Sequence, residues 1–252
     1  MDFPFSITFG HISIPLHSIV EGAAFFIGFR YFLYLRKKKG DRYSSSSRIY
    51  IVIGAIFGAL IGSRLIGALE RPDELFRTGN IFWYIYNNKT VLGGFLGGLF
   101  GVELMKKLIH EKESSGDLFV YPIILALIIG RIGCFSMGVF EETYGIATSL
   151  PWGINLGDNM MRHPVCLYEI VFLILLWVTL LKAEKQFSFR NGALFKLFMI
   201  AYLCFRFLLD FIKPHYSIVL GISIIQLTSL LGILYYLPYI VLPKKLLTTA
   251  YA

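Results

Sequence analysis

Apolar residues recur along this chain in runs too long for strands or for the buried stripe of a soluble helix. Seven such stretches lie near 16–35, 49–69, 90–109, 118–138, 164–182, 193–212 and 219–242. Each approaches the length of about 20 mostly apolar residues that a helix needs to cross a bilayer. Polar or turn-forming residues bound them: the run from Arg36 to Arg48, Arg71-Pro72-Asp73, Lys112 to Asp117, and Lys213-Pro214. The pattern predicts an all-α polytopic membrane protein of about seven transmembrane helices, built as a single integral membrane domain over 1–252. The segment 139–163 is predicted to be an external loop. It is too long for a mere connector and carries Glu141, Glu142, Tyr144, Gly145, Trp152, Asp158, Arg162 and His163. Functional residues often sit on such loops.

Composition agrees with a bilayer as solvent. The mean hydropathy is +0.66, and only 16% of residues are charged, against roughly 25% in soluble domains. The net charge of +8 does not point to nucleic acid, because the basic residues cluster in short loops between apolar runs. Arg36, Lys37, Lys38, Lys39, Arg42 and Arg48 fill the first loop, Lys106, Lys107 and Lys112 the third, Lys182, Lys185 and Arg190 the fifth, and Lys244 and Lys245 the C-terminus. The alternate loops are poorer in Lys and Arg. The bias predicts an external N-terminus and a cytoplasmic C-terminus. The first basic residue is Arg30, so no cleaved signal peptide is expected. Cys134, Cys166 and Cys204 include no C-x-x-C pair, and neither a disulfide framework nor a metal centre is expected from their spacing. The glycines of the third span (Gly93, Gly94, Gly97, Gly98 and Gly101) let helix backbones approach closely; they read as packing first and a lipid groove second.

Ionisable residues inside apolar runs carry the most information. An arginine at mid-bilayer costs at least about 2.5–3.5 kcal/mol on insertion scales, so it needs a partner or a polar ligand. Arg131 follows Ile123–Gly130 in the fourth span, and Arg206 stands in the sixth. Both spans run from inside to outside, which puts both arginines in the outer parts of their helices. Tyr202, Arg206 and Asp210 are spaced i, i+4, i+8 and share one helix face, so Asp210 is expected to hold the Arg206 guanidinium. Glu169 needs a cation, and an arginine of the cluster is the obvious one. His17 and Glu21 form a further i, i+4 pair. Arg64 stands where it can snorkel, and Glu103 reads as charge-paired with Lys106 and Lys107. Two guanidiniums at one depth beside lipid point to recognition of an anion at headgroup level, because arginine forks match phosphate oxygens.

These residues resemble a known family. Gly130-Arg131-Ile132-Gly133-Cys134-Phe135, followed by Gly138, Glu141 and Gly145, resembles the signature of bacterial prolipoprotein diacylglyceryl transferases, G-R-I-G-N-F-x-N-G-E with a closing glycine. His163-Pro164-Val165-Cys166-Leu167-Tyr168-Glu169 is similar to that family's H-P-x-Q-L-Y-E. Tyr202, Arg206 and Asp210 are similar to its Y-x-x-x-R-x-x-x-E, and Gly93-Gly94 with Gly97 to its H-G-G-x-x-G. The chain departs from the pattern at four places. Cys134 stands for asparagine, Leu92 for the histidine before the double glycine, His17 for a tyrosine of the first span, and Asp210 for glutamate.

The resemblance implies a transferase of the bacterial cytoplasmic membrane. It would move diacylglycerol from phosphatidylglycerol to the lipobox cysteine thiol of signal-peptide-bearing lipoprotein precursors, forming a thioether and releasing glycerol phosphate. Arg131, Arg206 and Asp210 are then the expected catalytic residues. His17, Gly93, Gly94, Cys134, Glu141, Gly145, His163, Tyr168, Glu169 and Tyr202 are the expected substrate-binding ones. No cofactor and no nucleic acid is implied. His17 or His163 is the expected acceptor of the thiol proton, and the precursor is expected to enter along the Gly93–Gly101 face. A related transferase with another acceptor, and a non-catalytic protein that binds anionic lipid, remain alternatives.

Overall fold

The computed structural model describes residues 3–248 except 11, 215 and 218–220. A short antiparallel hairpin, β1 (Ser6–Phe9) with β2 (Ile12–Pro15), leads into α1 (Leu16–Lys39). The long helices that follow are α2 (Ser45–Ala68), α5 (Val91–Leu108), α6 (Val120–Met137), α7 (Val165–Gln186), α8 (Ala193–Leu209) and α9 (Ile224–Val241). Two short helices, α3 (Pro72–Arg77) and α4 (Ile81–Asn87), lie between α2 and α5. Residues 219–220 of the seventh expected span fall outside the described residues.

Five helices (α1, α2, α6 extended by its flanking turns, α7 and α9) are long and apolar enough to cross a membrane. The other two expected spans are shorter or more polar. α8 has 17 residues, about 26 Å at 1.5 Å per residue. α5 has 18 residues and carries Glu103, Lys106 and Lys107 near its end. The Glu103 carboxylate accepts from Lys106 Nζ at 2.9 Å, so that charge is paired at the helix end. Phe25, Phe26, Phe57 and Phe100 are each more than 60% exposed. Such outward apolar faces are what lipid, rather than water, covers. The chain is an all-α multi-pass membrane protein.

The helix limits follow local chemistry. Ser44, Asn80 and Thr90 cap α2, α4 and α5 by accepting backbone N–H bonds. Ser223 and Gln226 form a reciprocal capping box at the start of α9, which satisfies two otherwise orphaned donors. α2 and α5 run antiparallel along a glycine seam. Gly54, Gly58 and Gly62 face Gly101, Gly97 and Gly93, and a Cβ at any of these six would lie 2.6 Å or less from a backbone oxygen of the facing helix. Only glycine fits at that approach. The Gly93, Gly97 and Gly101 positions are occupied by the α2 backbone, so this face is a helix-packing seam rather than an open groove. Leu92, at the head of α5, is fully buried in the core.

The interhelical core is apolar and aromatic. Tyr202 is fully buried and packs its ring against Phe95 at 5.1 Å and Phe198 at 5.9 Å between centroids. The loop after α6 is ordered by β3 (Ile154–Asn155) pairing with β4 (Met161–Arg162). Arg162 donates to the Gly145 carbonyl at 3.2 Å and lies over the Tyr144 ring. Gly138, with φ +60°, turns α6 into this loop where a Cβ would collide with the Leu156 carbonyl at 2.2 Å.

Candidate active site

Chain alternation brings the starts of α1, α5, α7 and α9 and the ends of α2, α6 and α8 to one end of the bundle. The polar residues inside apolar runs meet there. Glu169, in the first turns of α7, is 1% exposed. Its Oε2 lies 2.9 Å from Arg131 Nε of α6 and 3.1 Å from Arg206 Nη1 of α8. Its Oε1 accepts from the Tyr202 hydroxyl at 2.8 Å. One carboxylate therefore holds two guanidiniums from separate helices, and both arginine side chains are 8% exposed. Arg206 Nε is buried with no hydrogen-bond partner. A buried donor on a charged group that lacks an acceptor is costly, so this cation presents a free donor to an incoming anion.

The expected ion pair of Arg206 with Asp210 does not form; no such pair occurs among the described residues. α8 ends at Leu209, and Asp210 begins a 3₁₀ turn, which breaks the i, i+4 geometry. Asp210 is buried and accepts from the Ser223 hydroxyl at the head of α9. Gln226 is fully buried one turn on, and its Nε2 lacks a partner. Neither residue was singled out by spacing, because a serine and a glutamine in an apolar run carry no charge signal. Glu70, just beyond α2, was missed too. Burial pushes its carboxyl above the ordinary range, against the opposing charges of Lys213 and Arg206. Lys213 is held below its ordinary range by burial and by Arg206. The charges of both groups act together with that of Arg206.

A second cluster lies beside the first. Cys134 Sγ accepts from Arg131 Nη1 at 3.6 Å. His17 Nδ1 is 3.3 Å from Glu141 Oε2, yet the two are not aligned for a hydrogen bond, and both atoms are buried without a partner. Ligand atoms of His17, Cys134 and Glu141 all lie within 4.8 Å of one another. Linear spacing showed no metal constellation, and the fold nevertheless brings three ligand types together. On the far side of the ring, His17 Nε2 is 3.5 Å from Glu21 Oε2, and Glu21 Oε1 accepts from Lys89 Nζ at 2.8 Å. His17 and Cys134 are two of the four positions that depart from the family signature. A narrow cleft beside Cys134 is lined by Thr143, Tyr144 and Cys166, and the Thr143 hydroxyl is a further buried polar atom without a partner.

The remaining expected site residues lie elsewhere. His163 shares a 3.2 Å hydrogen bond with the Tyr168 hydroxyl, which also accepts from Trp152 Nε1 at 2.8 Å. Gly145 is there because a Cβ would meet the His163 carbonyl at 2.5 Å. These three residues lock the loop after α6 onto the head of α7. Gly93 lies in the glycine seam, and Gly94 is in ordinary contact with Ala59 and Ser63, so both belong to the packing of α5 on α2. Arg64 donates to the Tyr86 carbonyl and lies over that ring, fastening α4 to α2. The three cysteines are free.

Residues 4–242 match the sequence model of the family described as prolipoprotein diacylglyceryl transferase. A phosphatidylglycerol–prolipoprotein diacylglyceryl transferase of Campylobacter lari is 34% identical over 203 residues, which is 73% of this chain and 70% of that protein. One of Cupriavidus metallidurans is 31% identical over 217 residues, 80% of this chain and 73% of its own length. One of Nitratidesulfovibrio vulgaris is 36% identical over 172 residues, 65% of this chain and 62% of that protein. The match extends from β1 through α9 and takes in both arginines, Glu169 and the loop that carries Glu141, so the chain belongs to the prolipoprotein diacylglyceryl transferase family.

Proposed function

We propose that this protein transfers the diacylglyceryl group of phosphatidylglycerol to the lipobox cysteine thiol of a signal-peptide-bearing lipoprotein precursor. The observation that carries the reading is the pair of buried guanidiniums on the single carboxylate of Glu169, with Arg206 Nε left without an acceptor. A lipid phosphate diester is a monoanion at headgroup depth, and it supplies the oxygens this donor lacks. The helix ends opposite the site hold the lysine- and arginine-rich loops. The site therefore faces the outer side of the cytoplasmic membrane, where secreted precursors emerge.

The acceptor sulfur attacks the glyceryl carbon that bears the phosphate ester. The carbon–oxygen bond breaks, its electron pair goes to the phosphate oxygen, and glycerol phosphate leaves as a dianion. Negative charge grows on the phosphate during this step. Arg131 and Arg206 stand preoriented by Glu169 and Tyr202, so they stabilise that charge without reorganising. Asp210 acts at one remove, fixing the junction of α8 and α9 through Ser223. The acceptor must become a thiolate before it attacks, and the His17–Cys134–Glu141 group beside Arg131 is placed to bring this about. His163, tied to Tyr168, is not.

The test is reconstitution of the full chain with phosphatidylglycerol and a lipobox peptide, following both glycerol phosphate release and the peptide's gain in mass. Both are expected, and both fall in Arg131→Ala and Arg206→Ala. Glycerol phosphate without peptide modification would mean another acceptor. Lipid binding without either product would mean a protein that only recognises the lipid.

A further inference from the structure

We infer that His17, Cys134 and Glu141 form a site for a thiophilic divalent cation, with Zn²⁺ the ion of best fit, and that its open fourth position takes the acceptor thiol. The catalytic part of this inference rests on the transferase reading; the metal site itself does not.

Three independent features support the site. The donor set is one thiol, one imidazole and one carboxylate, the ligands zinc takes in four-coordinate sites, and three protein ligands leave a position open. The geometry is close to closed. Zinc–ligand bonds of about 2.0–2.3 Å put tetrahedral ligand atoms roughly 3.3–3.8 Å apart. His17 Nδ1 and Glu141 Oε2 are already 3.3 Å apart, and all three ligand atoms fall within 4.8 Å, a gap that side-chain rotation closes. Finally, the two facing atoms are buried without hydrogen-bond partners. The two sit at ion-pair distance without hydrogen-bond alignment, and a cation between them would coordinate both.

The surroundings fit as well. With Nδ1 on the metal, His17 Nε2–H points at the Glu21 carboxylate 3.5 Å away, and Lys89 holds that carboxylate from its other oxygen. A carboxylate behind the ligand histidine is the usual device that fixes its tautomer and orientation. Arg131 Nη1 donates to the Cys134 sulfur, as expected toward a thiolate. Charge also balances. One dication with one thiolate and one carboxylate is neutral, which lowers the cost of the site near hydrocarbon.

The cation supplies what the arginine pair does not, a way to ionise the acceptor thiol at neutral pH. A thiol that coordinates zinc is deprotonated outright. Its proton passes to water, the sulfur attacks the glyceryl carbon, and the carbon–oxygen bond breaks toward the phosphate held by Arg131 and Arg206. Thioether and glycerol phosphate dianion are the products, and the thioether, a weaker ligand, leaves.

The experiment is metal analysis of the full chain, purified in detergent without chelator, followed by replacement with Co²⁺. About one zinc per chain is expected, with a thiolate-to-cobalt charge-transfer absorption in the Co²⁺ form. Cys134→Ser loses that absorption, and Glu141→Gln loses most of the metal. Glu21→Gln, which removes only the outer carboxylate, weakens Zn²⁺ binding about 10- to 100-fold. Unchanged chromatographic profiles of these near-isosteric variants show that they fold. Chelation abolishes glycerol phosphate release, and Zn²⁺ restores it. Equal metal content in wild type and Cys134→Ser overturns the site. Zinc bound at the site while chelated enzyme keeps its full rate overturns its catalytic role. The two readings separate cleanly: Arg206→Ala is expected to keep the metal and lose transfer. Transfer by metal-free protein sinks the catalytic role of the metal and spares the transferase reading, and a zinc-loaded wild type that releases no glycerol phosphate sinks the transferase reading, with the catalytic role that rests on it, and spares the metal site.

Discussion

Two carboxylates in this protein each hold a pair of arginines, at opposite ends of the bundle. Asp41, between α1 and α2, accepts from Arg36 Nε and from Arg48 Nε, both at 2.8 Å. Glu169 holds Arg131 and Arg206. The stoichiometry is the same, and the outcome is not. At the Asp41 end Arg36 is 26% exposed and also donates to Ser45, while Arg48 donates to the Ser115 carbonyl. Every donor there reaches protein or solvent. At the Glu169 end both arginines are buried and Arg206 Nε has nothing to donate to. What separates the structural ion pair from the proposed binding site is thus not the presence of buried charge but whether its hydrogen-bonding capacity has been used.

The largest effect that separates the two ends is expected from Glu169→Gln. It strands two buried guanidiniums, and breaking a buried pair in this way costs about 3–5 kcal/mol. Thermal unfolding in detergent should show a large fall in midpoint, and transfer should be lost with it. Asp41→Asn weakens its charge-assisted hydrogen bonds but leaves an oxygen acceptor in place; Arg36 is partly solvated and the buried Arg48 keeps the Ser115 carbonyl, so the fall is smaller and transfer per folded molecule is kept. Equal loss of transfer in both variants would remove the distinction. Next is Arg206→Lys, which keeps the charge and loses the fork. A drop of about 10²-fold in turnover is expected, the size seen when one preoriented donor to a developing anion is removed. Little change in unfolding midpoint should accompany it.

The contrast was only half legible in sequence. Arginines interrupting apolar runs stand out, so Arg131 and Arg206 were found by cost alone. Their common partner was harder. Spacing along α8 favoured Asp210, because i, i+4 is the one geometry a linear reading supplies, and the helix ends one residue too early for it. Glu169 was identified as needing a cation, but its role as the shared anchor depends on how α6, α7 and α8 pack. The glycines of α5 were read as packing residues; that Gly54, Gly58 and Gly62 of α2 meet them in antiparallel register required the fold. The helices α3 and α4 and the β1–β2 hairpin are too short to register against seven long apolar runs. His17, Cys134 and Glu141 come from α1, from α6 and from the loop that follows α6. No periodicity links positions so far apart.

The glycine seam offers a control on whether lost transfer reflects lost stability. Gly97→Ala drives a methyl into the Gly58 carbonyl, 2.2 Å from the added carbon. Overpacking of this kind costs about 1–3 kcal/mol. The unfolding midpoint should fall about as far as in Asp41→Asn, while turnover per folded molecule stays near wild type, since no group of the arginine or His17 clusters moves. Loss of turnover in step with stability would mean that the site senses strain anywhere in the bundle, and would weaken the case for chemistry local to Glu169.

The smallest effect concerns pH. Burial alone would raise the Asp41 carboxyl, but hydrogen bonds from Arg48 and the Tyr43 N–H, with the charges of Arg48 and Arg36, outweigh it and hold the group below its ordinary value of 3.8. A carboxyl lowered on folding adds stability that is fully present above the unfolded value and disappears as pH falls through the folded one. Between neutral pH and about pH 5 this contribution is constant; below about pH 4 it fades. The wild-type unfolding midpoint should therefore drop on acidification by more than that of Asp41→Asn, and the gap between the two proteins should narrow. A gap that stays constant down to pH 3 would mean that Asp41 is not ionised by its arginines in the folded protein, and the end of the bundle taken here as fully satisfied would need another account of how it is held.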